Sequence, residues 1–171
     1  MSLTTITDPL EILRLHFGES LFAIPSVPIR HGRLADVGTG AGFPAVPIRM
    51  AFDALSLTLI ESNRKKRVFL AEVARELALK NVQIPSGRME DLRDACLELD
   101  FVTARAVAIN DAFLAWASAS LKPAGSLILW LGHHDSLEIS LSKRFAWREP
   151  IKIPNSDRRV ILVGANSAAS A

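Results

Sequence analysis

Gly38-Thr39-Gly40-Ala41-Gly42, set between Val37 and Phe43-Pro44, is the stretch best suited to chemistry in this sequence. A Gly-x-Gly-x-Gly turn lets bare backbone approach a ligand, because no Cβ stands in the way. Arg33 to Val37 reads as the strand that feeds it, and Leu55 to Ile60 as a second strand running into Glu61. A nucleoside-binding α/β fold places a carboxylate there, roughly 20 residues past the glycines, to accept bonds from ribose hydroxyls. The dinucleotide fingerprint Gly-x-Gly-x-x-Gly would put its last glycine at Phe43, so that spacing is missing. Met89-Glu90, following a short third strand, is a further candidate at the same sheet end.

These groups meet only if the strands carrying them are parallel, since ligands of open α/β sheets sit beyond the carboxyl ends of the strands. The apolar pattern supports that. Asp8-Pro9 opens a helix with Leu10, Leu13, Phe17 and Leu21 on one face. A helix from Pro44 to Phe52 follows the glycines, with Pro44 tolerated in its first turn. Asn63 caps a helix reaching to about Leu79, with Val68, Phe69, Val73 and Leu77 turned inward. Asn81 to Ile84 is a third strand and Asp100 begins a fourth. Then come a helix from Asp111 to Leu121, a turn at Pro123-Ala124-Gly125 and a fifth strand from Ser126 to Leu131, with His133-His134 in the loop beyond it. Arg144 to Ile153 and Arg158 to Val163 read as a closing antiparallel pair. The order resembles the α/β, Rossmann-like class I methyltransferase arrangement, with a seven-stranded, mostly parallel sheet and flanking helices. One domain over residues 1–165 is expected, with Asn166 to Ala171 a disordered tail.

The bulk composition excludes several classes. The 171 residues are 49% hydrophobic and 22% charged, with no apolar run near the ~18 residues a membrane helix requires. Cys96 is the only cysteine, which rules out an intrachain disulfide and a cysteine-based metal cluster and makes the cytoplasm the expected location. His16, His31, His133 and His134 show no metal-ligand spacing, so no metal is expected. Net charge is only +2, but Arg64-Lys65-Lys66-Arg67 is a dense basic run. It is either a solvated helix face or a contact for nucleic-acid phosphate.

The glycine loop resembles the S-adenosylmethionine-binding loop of Rossmann-like methyltransferases, which cradles a zwitterionic amino acid rather than a pyrophosphate. On that likeness Gly38, Gly40, Gly42 and Phe43 face the methionine part of the cofactor. Glu61 holds its ribose, and Met89 and Glu90 contact its adenine. Methylation of a pyrimidine carbon generally uses a cysteine nucleophile, and Cys96 lacks the preceding proline; it reads as a small apolar filler. Methylation of an exocyclic amine goes with Asn/Asp-Pro-Pro-aromatic after the fourth strand, where this chain has Thr103-Ala104-Arg105-Ala106-Val107. Guanine N7 fits a site that offers a cation, since it carries an in-plane lone pair and needs no base. Positioning then supplies most of the catalysis.

Asp36 to Pro44, Leu59-Ile60-Glu61-Ser62-Asn63-Arg64-Lys65-Lys66, Phe69-Leu70 and Arg105-Ala106-Val107 together resemble the signatures of the glucose-inhibited division protein B family, over about Leu3 to Val163. The resemblance implies transfer of a methyl group from S-adenosylmethionine to N7 of a guanine in small-subunit ribosomal RNA. It implies Arg105 as the positioning residue, also in contact with cofactor, and Arg64, Lys65 and Lys66 as contacts for the RNA. A monomer is expected. Two departures stand out: Ser2-Leu3-Thr4 resembles an internal motif of the family, implying that its N-terminal helical arm is lacking, and Ala45 replaces the glycine often found after Phe-Pro. Two alternatives stay open from the residues alone: the same fold acting on another RNA or a small molecule, and a non-catalytic cofactor-binding module.

Overall fold

The computed structural model describes residues 6–92 and 96–167. Strands β1 (Gly32–Val37), β2 (Leu55–Ile60), β3 (Val82–Gln83), β4 (Leu99–Arg105) and β5 (Leu121–Gly132) form a parallel array in the order β3-β2-β1-β4-β5. Strand β8 (Arg159–Asn166) lies antiparallel to β5, and both β6 (Phe145–Trp147) and β7 (Ile151–Lys152) pair antiparallel with it. The strand expected over Arg144 to Ile153 is therefore two short pieces interrupted around Pro150, so the sheet has eight strands by count. A proline offers no N–H to a ladder, which accounts for a break there.

Period-two alternation divides the core between the two faces of the sheet. Leu34, Leu57, Leu59, Ile128, Trp130 and Ile161 pack on one side, where Leu70 of α4 (Arg64–Glu76) and Ile48 of α3 (Ala45–Ala51) cover them. Ala35, Val102, Ala104, Leu127, Leu129 and Leu162 pack on the other, beneath Phe113 and Trp116 of α5 (Asp111–Ser120). Cys96 is fully buried in this second layer, and burial pushes its thiol up, as suits a filler and not a nucleophile.

The N-terminal helix differs from its expected form. Asp8 caps it, accepting from the Leu10 amide, but α1 (Pro9–Ile12) passes through a π-helical stretch, Leu13–Gly18, before α2 (Glu19–Leu21). A π turn takes up an extra residue and rotates the next side chains away from the 3.6-residue pattern. Leu10 and Leu13 are left 74% and 57% exposed, while Glu19 and Ser20 are buried. In α4, Val68 and Leu77 are likewise exposed; Leu70 is the deeply buried position, with Phe69 and Val73 packed partly against the core.

Three smaller corrections concern the C-terminal half. Pro123-Ala124-Gly125 falls within β5, at an irregularity in its pairing with β4 between Leu99 and Phe101. His133 and His134 open helix α6 (His133–Ile139) instead of lying in a loop. Asn166, expected at the start of a loose tail, is buried at the end of β8 and donates to the carbonyls of Ser118, Leu121 and Lys122. Residues 168–171 of that expected tail lie outside the described residues. Among the described residues no helix is long and apolar enough to cross a membrane.

Candidate active site

Register places the site. Val37 lies beside Ile60 on β2 and Ala104 on β4, so Gly38, Glu61 and Arg105 stand at the carboxyl end of three adjacent strands. Gly38, Gly40 and Gly42 all adopt positive φ, at 67°, 58° and 97°. Their surroundings then separate them. A Cβ on Gly38 would meet Val107 Cγ1 at 2.3 Å, and one on Gly42 would meet Val46 Cγ2 at 2.7 Å. A Cβ on Gly40 would have only the Gly38 carbonyl oxygen nearby, at 3.8 Å. Gly42 is thus a packing glycine whose missing side chain makes room for the protein's own core. Gly40 is the one that opens on free space.

Glu61 is buried and already engaged: Oε2 accepts from the Gly40 amide at 3.1 Å and Oε1 from the Asn63 amide at 2.8 Å. Asn63 in turn caps α4, its side chain accepting from the amides of Lys65 and Lys66. The basic run divides accordingly. Arg67 reaches back to the Glu61 and Ser62 carbonyls and to Ser86, Arg64 and Lys65 are exposed, and Lys66 turns to the glycine loop.

Two cavities adjoin at Gly38. One, of about 250 Å³, is lined by Glu61, Met89, Glu90, Val107 and Phe113. The other, of about 610 Å³, runs between the glycine loop, α4 and the N-terminal helix, with Gly40, Phe43, Lys66 and Arg105 in its wall. The expected site residues are therefore brought together around Gly38, apart from the buried Gly42 and the outlying Arg64 and Lys65. His16 and Phe17 also line the larger cavity. His16 stacks on Phe43 at 4.9 Å between ring centroids, and Phe17 meets the same ring edge-on at 5.1 Å. Burial, with a smaller contribution from Arg105, holds the His16 imidazole below its ordinary pKa.

Arg105 is largely enclosed. Its Nη2 donates to the Leu15 carbonyl at 2.9 Å and pairs with Glu19 Oε2 at 3.2 Å, while Nη1 is covered and has no hydrogen-bond partner. Its acidic partner thus comes from the N-terminal helix and not from the neighbouring strand ends. Burial draws the Arg105 guanidinium down from its ordinary value, and Glu19 opposes that shift. Asp36 is fully buried, with Thr103 donating to its Oδ1 at 2.7 Å; burial pushes its carboxyl up to about 6 against the nearby hydroxyls of Thr39 and Thr103. His16, Phe17 and Glu19 were not anticipated as site residues. The available signal was a pair of titratable residues three apart, His16 and Glu19, flanking the apolar Phe17.

The family model for rRNA small subunit methyltransferase G matches residues 1–154. The chain belongs to the rRNA small subunit methyltransferase G family. Among its curated relatives, the Ribosomal RNA small subunit methyltransferase G of Leuconostoc citreum is 35% identical over 95% of this chain and 74% of its own length. That of Xanthomonas campestris is 34% identical over 95% of this chain and 77% of its own. In fold, a SAM-dependent methyltransferase from Aquifex aeolicus superposes with a TM-score of 0.73 at 16% identity, covering 92% of this chain and 93% of that one. TrmN from Thermus thermophilus gives 0.71 at 18% identity, over 86% and 48%. The member described here is a Rossmann-like S-adenosylmethionine-dependent methyltransferase. Its residues suit that cofactor: the free space over Gly40 is a cradle that a Cβ would intrude on, and a buried carboxylate stands beside it.

Proposed function

We propose that this protein methylates N7 of a guanine in small-subunit ribosomal RNA, with the cofactor running from the Glu61 side of Gly38 to Gly40 and the guanine beside Arg105. The observation that carries the reading is the junction at Gly38. There a cleft of about 250 Å³ bordered by Glu61 and Glu90 abuts an aromatic-walled cavity with a guanidinium in its wall. When bound, S-adenosylmethionine supplies a sulfonium methyl group open to attack by a lone pair.

The chain's own residues hold and orient. The Gly40 backbone lies open to the methionine moiety, and Glu61 keeps a charged acceptor beside the loop. Met89 and Glu90 border the place for adenine. Phe43, backed by His16 and Phe17, walls the acceptor cavity and excludes water. Guanine N7 has no proton to lose, so no side chain is asked to act as a base. Arg105, in the wall of the same cavity, orients the base: its guanidinium donates to guanine O6, adjacent to N7. Arg64 and Lys65, exposed at the start of α4, meet RNA phosphate, and Lys66 stands between phosphate and cavity. The protein acts as a monomer in the cytoplasm, where the small subunit is.

Single-turnover transfer to small-subunit RNA, with the product nucleoside identified by mass, tests the reading. N7-methylguanosine is the expected product. Arg105→Lys should lose at least tenfold in rate, because lysine cannot copy the planar fork and small misplacements are expensive when positioning is the mechanism. A different product overturns the reaction, and a fully active Arg105→Lys overturns the role of Arg105.

A further inference from the structure

One residue of the N-terminal helix is held by three neighbouring strands. Glu19 is 5% exposed. Its Oε2 pairs with Arg105 Nη2 of β4 at 3.2 Å and its Oε1 with Arg159 Nη1 of β8 at 2.6 Å. Its carbonyl accepts from Trp130 Nε1 of β5 at 2.8 Å. Arg105 and Trp130 are register partners, and Arg159 begins the strand on the far side of β5. Backbone and side chain of Glu19 are thus both fixed, by groups from β4, β5 and β8.

We propose that Glu19 is a positioning residue for methyl transfer, acting through Arg105. The proposal rests on the role given to Arg105 above. Nη2 donates to the Leu15 carbonyl, and the Glu19 carboxylate pairs with the same nitrogen at 3.2 Å as a charge contact. Among the described residues Nη1 has no acceptor, so the contacts at Nη2 fix the fork and with it the direction in which its unpaired edge faces. Without the Glu19 carboxylate the guanidinium keeps one fixed contact, to the Leu15 carbonyl, and can pivot about it. A carboxylate shared between two arginines also offsets the repulsion between Arg105 and Arg159, each of which disfavours its neighbour's charge.

Glu19→Gln alone is ambiguous, because removing one partner of a buried ion pair leaves an uncompensated charge and destabilises the fold. The informative set is Arg159→Gln, Glu19→Gln combined with Arg159→Gln, and Glu19→Asp, with Arg105→Lys alongside. Each is measured for melting temperature, for S-adenosylhomocysteine affinity and for single-turnover transfer across RNA concentrations. Arg159→Gln should transfer within threefold of wild type, as the Glu19–Arg105 pair survives. The double variant removes one cation along with the anion and should melt within a few degrees of Arg159→Gln. Its saturating transfer rate should nonetheless fall at least tenfold, with cofactor affinity unchanged and little change in half-saturating RNA. Glu19→Asp keeps the charge but is one methylene short, and should lose at least fivefold in the same rate. Transfer that recovers in the double variant along with its melting temperature, or a fully active Glu19→Asp, would overturn the proposal by reducing Glu19 to a structural tie. If Glu19 variants are active and Arg105→Lys is not, only the present inference fails. If Arg105→Lys is also active, the reading beneath it fails too.

Discussion

The amide of Gly40 donates to Oε2 of Glu61 at 3.1 Å, so the glycine loop and the carboxylate after β2 form one hydrogen-bonded unit. The acid proposed for the cofactor ribose is also the acid that shapes the loop proposed for its methionine.

Glu61→Gln should therefore do two things. Glutamine retains one acceptor oxygen, so either the Gly40 or the Asn63 amide loses its partner, and hydrogen bonds to charged groups contribute about 1.5–3 kcal/mol. Affinity for S-adenosylmethionine should drop roughly tenfold, and the unliganded protein should lose about 1–3 kcal/mol of stability. Calorimetry and denaturant melts read the two separately. If neither changes, Glu61 supports neither the loop nor the cofactor.

Gly40 and Gly42 should behave differently when replaced by valine. Gly40→Val places a branched side chain in open space above the loop; cofactor binding should vanish, with only the backbone strain of a positive φ felt by the fold. Gly42→Val drives a side chain into Val46 and Leu70 and should cost stability of about 1–3 kcal/mol or more. Equal melting temperatures for the two variants would contradict this division.

The two lysines that begin α4 should also part company. Lys65→Ala should weaken RNA binding and flatten its salt dependence by about 0.7 log units per lost single-strand phosphate contact, leaving transfer at saturation intact. Lys66 lines the cavity, so Lys66→Ala should in addition slow saturated transfer. Filter binding over a salt series, beside single-turnover rates, distinguishes them. Identical profiles would remove Lys66 from the site.

Which of these features are legible in the amino-acid sequence depends on the physics of each signal. Strand β2, Leu55 to Ile60, and the Asn63 cap are both legible, because an alternating apolar run and a side-chain acceptor at a helix start are local effects. The glycines and Glu61 are visible for the same reason. The partner of Arg105 is not: Glu19 reaches it only because a π turn redirects the helix, and a 3.6-residue count cannot foresee that turn. For the same reason that count assigns Leu10 and Leu13 to a buried face, whereas the chain exposes them. Nor does Gly-x-Gly-x-Gly say which glycine faces ligand and which faces core; that depends on Val46 and Val107 arriving from elsewhere.

Stability should carry the signature of Asp36. Its carboxyl is raised from 3.8 to about 6 in the folded protein, so between those values the folded state binds more protons than the unfolded chain. Stability from this group is then fully present below about pH 4, falls as pH rises to about 6 and is level above that, a change on the order of 3 kcal/mol. Asp36→Asn should flatten that descent. Urea melts at pH 4.5 and pH 7 for both proteins give the comparison, and parallel curves would remove Asp36 as the cause.

Strand β8 has a consequence for how the sheet is assembled. Among the described residues, β6 and β7 are both hydrogen-bonded to β8 and to no other strand of the sheet, and β8 follows them in sequence. During synthesis neither can dock until residues 159–166 have emerged, and until then β5 presents a bare edge. A nascent or prematurely terminated chain ending before Arg159 would hold the glycine loop and Glu61 on a half-built sheet whose open flank invites strand pairing with other chains. Completion of the sheet and quality control of the polypeptide thus converge on its last described strand.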